Sequence, residues 1–263
     1  MANQSIPPGD TPLLRLERIS KRYDGGTLAL HDFSLDVARG SFVSLVGPSG
    51  CGKSTLLRVI AGLLQPDAGS TDWTVADTPS ATHPIGFVFQ EPTLMPWASV
   101  FDNVFLPLKL QGTRSATGRD EVMAALEKVK LGGVADALPR QLSGGMKMRV
   151  SIARALVARS PVLLMDEPFA ALDEFTREQL DDDLLSLWSE FGWTVIFVTH
   201  SIYESVYLSQ RVVVMGEEPG PLIADIAIAE PYPRRRSFRE TPAYFEHCHA
   251  VSSALRQGGM VTT

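Results

Sequence analysis

Apolar and polar residues alternate at Leu14-x-Leu16 and again through Leu28-x-Leu30 and Phe33-x-Leu35-x-Val37, with Ile19 and Tyr23 between them. A period of two predicts antiparallel strands with one buried face, and Gly25-Gly26 supplies the turn that joins them. Phe42-Val43-Ser44-Leu45-Val46 is a nearly continuous apolar run, the pattern of a buried strand. A glycine-rich stretch follows. Leu56, Leu57, Ile60, Leu63 and Leu64 then recur at helical spacing. Gln65 to Ser70 is a breaker cluster, and residues 71–84 are polar, which predicts a surface hairpin or loop there. Ile85-Gly86-Phe87-Val88-Phe89-Gln90 predicts another buried strand, ending on a polar residue.

The character of the chain changes over residues 91–160. Pro92 to Trp97 forms an apolar loop whose prolines exclude regular structure throughout. Short helices are predicted around Val100, Val104, Phe105 and Leu108, from Val122 to Val129, and from Ser143 to Ala158. Sheet signals return with Val162–Asp166 and Thr194–Thr199, continuous apolar runs of the kind found in parallel strands. The helix between them carries Leu180, Leu184, Leu187 and Trp188 on one face, and Asp181, Asp182 and Asp183 are expected on its solvated side. Strand Val212–Met215 follows. Beyond about residue 216 the pattern weakens. The Arg234-Arg235-Arg236 cluster reads as solvated or close to a membrane surface, and Ala243 to Leu255 as a final helix. The fold class is therefore α/β, with an antiparallel β subdomain at the start and an α-helical subdomain inserted at about 91–160.

Composition narrows the function without naming it. The chain has 263 residues, 44% of them hydrophobic, enough for one large domain with an insertion. The net charge of −6 gives no reason to expect nucleic acid as a partner. Positive potential for any polyanion has to be made locally, by single lysines, a metal ion and helix N-termini. Cys51 and Cys248 offer neither a disulfide framework nor metal-ligand spacing. The first twelve residues have no signal-peptide pattern, and no apolar run approaches membrane-spanning length, so a membrane role is expected to be peripheral.

The candidate chemistry centres on Gly47-Pro48-Ser49-Gly50-Cys51-Gly52-Lys53-Ser54-Thr55, which fits the phosphate-binding pattern G-x-x-x-x-G-K-[ST] between a strand and a helix. That arrangement aims successive backbone N–H groups at one anion. Lys53 adds a point charge for terminal phosphates, and Ser54 a hydroxyl ligand for Mg²⁺. Asp166-Glu167 ends an apolar strand. Asp166 can hold Mg²⁺ through its water shell, and Glu167 can take a proton from an attacking water. Gln90 and His200 also follow strands at the carboxyl edge, where α/β folds bind ligands. Each could equally be a polar strand terminus or a packing residue. Ser143 is a good N-cap, and Gly144-Gly145 leaves that helix end open to a phosphate. It is either a second anion site or simply a capped helix start.

Taken in order, these segments resemble the ATP-binding cassette (ABC) ATPases over nearly the whole span from Leu14 to Met215. Gly47–Thr55 resembles the family's Walker A loop, Gln90 its Q-loop and Leu142-Ser143-Gly144-Gly145 its signature motif. Leu163–Glu167 resembles Walker B, Ala171-Leu172-Asp173 the D-loop and His200 the switch histidine. Tyr23 matches the adenine-stacking aromatic. Met146 stands where many members have Gln. The resemblance implies a P-loop NTPase (RecA-like) core over residues 13–225, with a short, partly helical tail over 226–263. It implies ATP and Mg²⁺ as ligands, with Ser54, Gln90 and Asp166 at the metal and Glu167, His200 and Gln90 in catalysis. Ser143, Gly144, Gly145 and Asp173 would act in trans from a second, identical subunit. A membrane permease would dock near Leu94-Met95-Pro96-Trp97, unless that loop packs locally. A solute-binding protein would be an indirect partner, and the subunit would sit peripherally on the cytoplasmic face of the cell membrane. Glu91–Trp97, Leu142–Ile152 and Asp166–Asp173 further resemble the nitrate, sulfonate and taurine importer group. A soluble ABC ATPase of ribosomes or DNA is the alternative. The single cassette and the lack of a heptad run speak against it.

Overall fold

The computed structural model describes residues 12–74, 85–113, 115–217 and 219–259. In chain order the elements are β1 (Leu14–Arg22), β2 (Leu28–Val37), β3 (Phe42–Val46), α1 (Lys53–Ile60), β4 (Ala68–Trp73), β5 (Ile85–Val88), α2 (Val100–Leu110) and α3 (Ser115–Lys128). They continue as α4 (Gly144–Val157), β6 (Val162–Asp166), α5 (Glu174–Phe191), β7 (Thr194–Val198), α6 (Ile202–Leu208), β8 (Arg211–Met215), β9 (Leu222–Ala227) and α7 (Pro242–Gly258). They fall into two compact units, residues up to 81 with those from 192 onward, and residues 82–191.

The first unit holds an antiparallel sheet in the order β2-β1-β4, and strands in the order β7-β3-β8-β9. β3 lies between two parallel neighbours and all five of its residues, Ser44 included, are buried, as its nearly continuous apolar run predicts. The turn between β1 and β2 forms at Gly25-Gly26, where the Gly26 N–H donates to Tyr23 O at 2.8 Å. β9 closes the β8 edge antiparallel, with Arg211 ion-paired to Asp225.

Three expectations change in this unit. The first helix stops at Ile60, so Leu63 and Leu64 lie beyond it and Leu63 is 65% exposed. Gly62, at φ +70°, ends the helix: its N–H donates to Val59 O at 3.0 Å, and the Leu63 N–H donates to Arg58 O at 2.9 Å. That pair of bonds satisfies two of the helix's last four carbonyls, and the left-handed residue turns the chain away. Second, the polar stretch after the breaker cluster contains a strand. β4 has no fully buried residue and is held by its ladder to β1, from Leu14↔Trp73 to Ser20↔Ala68. Residues 75–84 of the expected loop lie outside the described residues. Third, order persists past residue 216. β9 and α7 pack on β8 and on each other, and α7 also packs on α6. Arg234 is buried at 7% exposure, not solvated.

In the second unit β5 and β6 pair in parallel, from Ile85↔Val162 to Val88↔Met165. α2, α3 and α4 pack mutually, and α4 also touches β5 and α5. Ser99 caps α2, accepting from the Asp102 N–H at 3.0 Å. α3 begins at Ser115, earlier than the expected start at Val122. Leu180, Leu184, Leu187 and Trp188 of α5 are buried as their spacing predicts. The acidic run is not uniformly solvated: Asp181 is 2% exposed, and Asp183 pairs with Arg149 and Lys130. Its three consecutive positions span about 200° of a helix, so they cannot all face water.

A Cβ at Gly69 of β4 would stand 2.3 Å from Glu17 O and 2.5 Å from Arg18 O, at φ +90°. Those carbonyls belong to the irregular stretch of β1 where the register with β4 shifts. Gly69→Ala is expected to destabilise the chain by about 2 kcal/mol or more. Urea unfolding of the two proteins measures it.

Candidate functional site

In the first unit the phosphate loop leaves β3 and enters α1 through Gly52, which is at φ 99°. A Cβ there would lie 2.3 Å from Ala29 O, so the loop locks against β2 only because position 52 has no side chain. Lys53 is 4% exposed, and its ammonium donates to Gly47 O at 2.8 Å and Pro48 O at 2.7 Å. The loop's own carbonyls thus satisfy a buried charge and hold it over the backbone of residues 47–48. Cys51 Sγ lies 3.7 Å from that ammonium. Burial raises the Cys51 thiol pKa despite the nearby cation, so the sulfur behaves as a packed neutral group. Ser49 and Gly50 are exposed at the loop's crest, and Ser54 is half-buried. The hydroxyls of Tyr23 and Thr55 lie 3.0 Å apart, which seats the aromatic ring beside the start of α1.

His200 reaches the same edge from the neighbouring strand. β3 and β7 pair with Leu45 opposite Val198. Gly47 and His200 therefore each lie two residues past a paired position, at the carboxyl end of adjacent parallel strands. His200 is exposed. The turn beneath it is braced: the Ser201 N–H donates to Thr199 Oγ1 at 3.0 Å, and Ser201 Oγ accepts from the Glu204 N–H at 3.2 Å. Thr199 Oγ1 also donates to the buried Glu204 carboxylate. Ser201 and Glu204 form an S-x-x-E pattern at the start of α6, a helix-start signal that the sequence carries directly after His200.

In the second unit the same register logic brings Gln90 and Glu167 together. Val88 pairs with Met165, so both residues lie two positions past the end of the β5–β6 ladder. Asp166 closes β6 and is half-buried. Glu167 adopts φ 48°, a left-handed conformation costly for a side chain followed by proline, and the Ala170 N–H closes a turn onto Glu167 O at 3.2 Å.

Ser143 caps α4, its Oγ accepting from the Met146 N–H at 3.3 Å, and both Ser143 and Gly144 are exposed. A Cβ at Gly145 would sit 2.7 Å from Thr176 Cγ2, and one at Gly144 would sit 3.1 Å from Leu172 Cδ2. The two glycines therefore let the start of α4 pack on the segment that carries Asp173. Asp173 Oδ1 accepts from the Thr176 N–H at 2.9 Å and caps α5, which holds its carboxyl below the ordinary range. Arg177 secures this corner by donating to Leu172 O at 2.9 Å. Arg177 was missed in the sequence, where nothing distinguishes it from a surface arginine.

The predicted residues thus form two groups: Tyr23, Gly47–Thr55 and His200 in the first unit, and Gln90, Ser143–Gly145, Asp166, Glu167 and Asp173 in the second. In the second unit Gln90 and Asp166 offer an amide carbonyl and a carboxylate, and in the first Ser54 offers a hydroxyl; oxygen donors of this kind suit a hard cation such as Mg²⁺. No helix among the described residues is long and apolar enough to cross a membrane.

Gly145→Ala is expected to lower the melting temperature by several degrees, because the new methyl meets Thr176. Adding Thr176→Ser, which deletes that Cγ2, is expected to restore most of the loss. Thermal unfolding of the single and double variants checks both.

Residues 30–170 match the family model described as ABC transporter. A Brucella abortus protein named for ATP binding is 46% identical over 236 residues, covering 89% of each chain. The aliphatic sulfonates import ATP-binding protein SsuB 1 of Pseudomonas savastanoi is 45% identical over 221 residues, covering 83% of this chain and 87% of that protein. The dimeric, post-hydrolysis structure of the ATP-binding cassette MJ0796 bound to ADP and Pi superposes with a TM-score of 0.71 at 33% identity, covering 83% of this chain and all of that one. The chain belongs to the ABC transporter family, as an ATP-binding and ATP-hydrolysing subunit.

Proposed function

We propose that this chain powers uptake of small aliphatic sulfonates, hydrolysing ATP between two copies of itself beneath a membrane permease. The placement of Glu167 carries the reading. It is held in a left-handed conformation, level with Gln90 at the end of a parallel pair. A carboxylate kept there against backbone preference fits a general base.

In this reading the 47–55 loop and Lys53 bind the phosphates, and Tyr23 stacks on the base. Ser54, Asp166 and Gln90 would hold Mg²⁺, which would supply positive charge against the terminal phosphates. Glu167 takes a proton from water as its oxygen attacks the γ-phosphorus and ADP leaves. His200 hydrogen-bonds the γ-phosphate. Ser143, Gly144, Gly145 and Asp173 act across the interface, which fits the exposure of Ser143 and Gly144 at the start of α4. ATP then bridges two subunits and its cleavage releases them, so the dimer is a two-state switch. The subunit works peripherally, at the cytoplasmic face of the cell membrane, and a solute-binding protein delivers the cargo.

The loop after Gln90 supports the permease assignment. Asn103 grips it through Met95 N–H, Met95 O and Ala98 O, and Arg154 donates to Pro92 O and Thr93 O. Trp97, on that rigid loop, is 78% exposed, so its ring is not consumed by local packing. The sulfonate assignment rests on the relatives named for aliphatic sulfonate import, including one from Bacillus cereus that is 39% identical over 254 residues.

Glu167→Gln is expected to lower kcat by about a hundredfold or more and to trap an ATP-bound dimer, seen by size-exclusion chromatography. Retained turnover would remove Glu167 from its role. Reconstituted with its permease and binding protein, the wild-type chain is expected to hydrolyse ATP faster when alkanesulfonate is supplied. Stimulation by another solute class alone would overturn the sulfonate assignment and leave the ATPase reading standing.

A further inference from the structure

α6 is seven residues long and starts one residue after the His200-Ser201 turn. A helix this short has only a few internal hydrogen bonds, and its last four carbonyls need partners from beyond it. The C-terminal segment supplies most of them. Ser205 O accepts from the Ser209 N–H at 3.1 Å. The next three are taken by side chains from beyond β9. Arg234 Nη1 donates to Val206 O at 2.6 Å and Tyr207 O at 2.9 Å, and the Tyr232 hydroxyl donates to Leu208 O at 2.8 Å. The Tyr244 hydroxyl donates to Tyr203 O at 2.9 Å, nearer the helix start.

Arg234 is the centre of this grip. Its Nη2 also donates to Ile228 O at 3.2 Å, and its guanidinium lies 4.3 Å from the Tyr232 ring centroid and 5.3 Å from that of Phe238. A planar fork that bridges two carbonyls while stacked on aromatic rings is a task lysine cannot match. Its positive charge also suits a helix C-terminus. At the other end of the same helix, Ser201, Thr199 and Glu204 fix the turn that carries His200. The helix spans only about 10 Å between the two ends, too short to absorb a shift at one without moving the other.

We infer that Arg234 is a positioning residue for His200, setting the imidazole's place at the strand edge through the backbone of α6. The inference rests on the reading of His200 as a γ-phosphate contact. Residues 228–244 are then a strut behind the switch histidine, and the basic cluster owes its first arginine to that task. The residues of the phosphate loop do not contribute to the grip, so nucleotide affinity is separable from it.

The test is a double-mutant cycle on the full-length chain, measuring steady-state ATP hydrolysis for Arg234→Met, His200→Ala and the pair. Arg234→Met is expected to lower kcat about tenfold to a hundredfold while KM for ATP stays within about twofold. In the His200→Ala background the second substitution is expected to add nothing. Arg234→Lys is expected to fall between wild type and Met. The imidazole signals of His200, assigned in NMR spectra by the His200→Ala variant, are expected to shift in Arg234→Met. Wild-type kcat in Arg234→Met beside a crippled His200→Ala overturns the inference, and so does an equal loss in both backgrounds. Wild-type turnover in His200→Ala overturns the reading of His200 instead. If Arg234→Met does not fold, Tyr232→Phe runs the same cycle, removing one bond and keeping the ring; full kcat there overturns the proposal.

Discussion

Uninterrupted parallel register is the constraint on which the rest of this molecule depends. Leu45 stands opposite Val198 in one unit, and Val88 opposite Met165 in the other. In each case the chain leaves the ladder at matched height, so the residues two positions on emerge side by side. A slip of one residue would exchange the two buried faces of β3 or β6 and put each side chain into a space shaped for another. The hydrophobic core therefore fixes what arrives at the sheet edge: the phosphate loop from Gly47 level with His200, and Gln90 level with Glu167. Burial of valines and leucines does the aligning, and the polar residues inherit it.

Much of this was legible in the sequence because the informative segments are contiguous. The phosphate loop, the Asp166-Glu167 strand end and the Ser143 cap each carry strand, turn and helix signals within a dozen residues. The strands β3, β6 and β7 announce themselves by unbroken apolar runs. β4 could not be found that way. None of its residues is fully buried, and what holds it is a backbone ladder to β1, which leaves no periodic trace. Gly69 was read as a breaker because glycine usually is one. Here it admits the carbonyls of residues 17 and 18.

The misread charges share one cause. Asp181-Asp182-Asp183 and Arg234-Arg235-Arg236 look like solvated runs when only neighbours in sequence are considered. Asp183 and Arg234 lie inward because their partners come from elsewhere in the chain. The carbonyls of Val206 and Tyr207 lie 28 and 27 residues before Arg234. A charge can enter a protein interior when hydrogen bonds replace its lost hydration, and backbone carbonyls at a helix end are ready acceptors. Sequence shows the charge but not the acceptors. The same limit hid Arg177, whose contact with the Leu172 carbonyl braces the Asp173 corner.

The backbone at Glu167 has a further consequence. A side chain at φ 48° immediately before proline sits where only glycine would be at ease. Glycine at that position would relax the turn, and it would also delete the carboxylate. In the role proposed for Glu167, a sturdier backbone and turnover would pull this one site in opposite directions. A lineage released from the need to hydrolyse ATP would find the easier residue close at hand. Under that role, residue 167 is the place where backbone ease and a carboxylate cannot both be had.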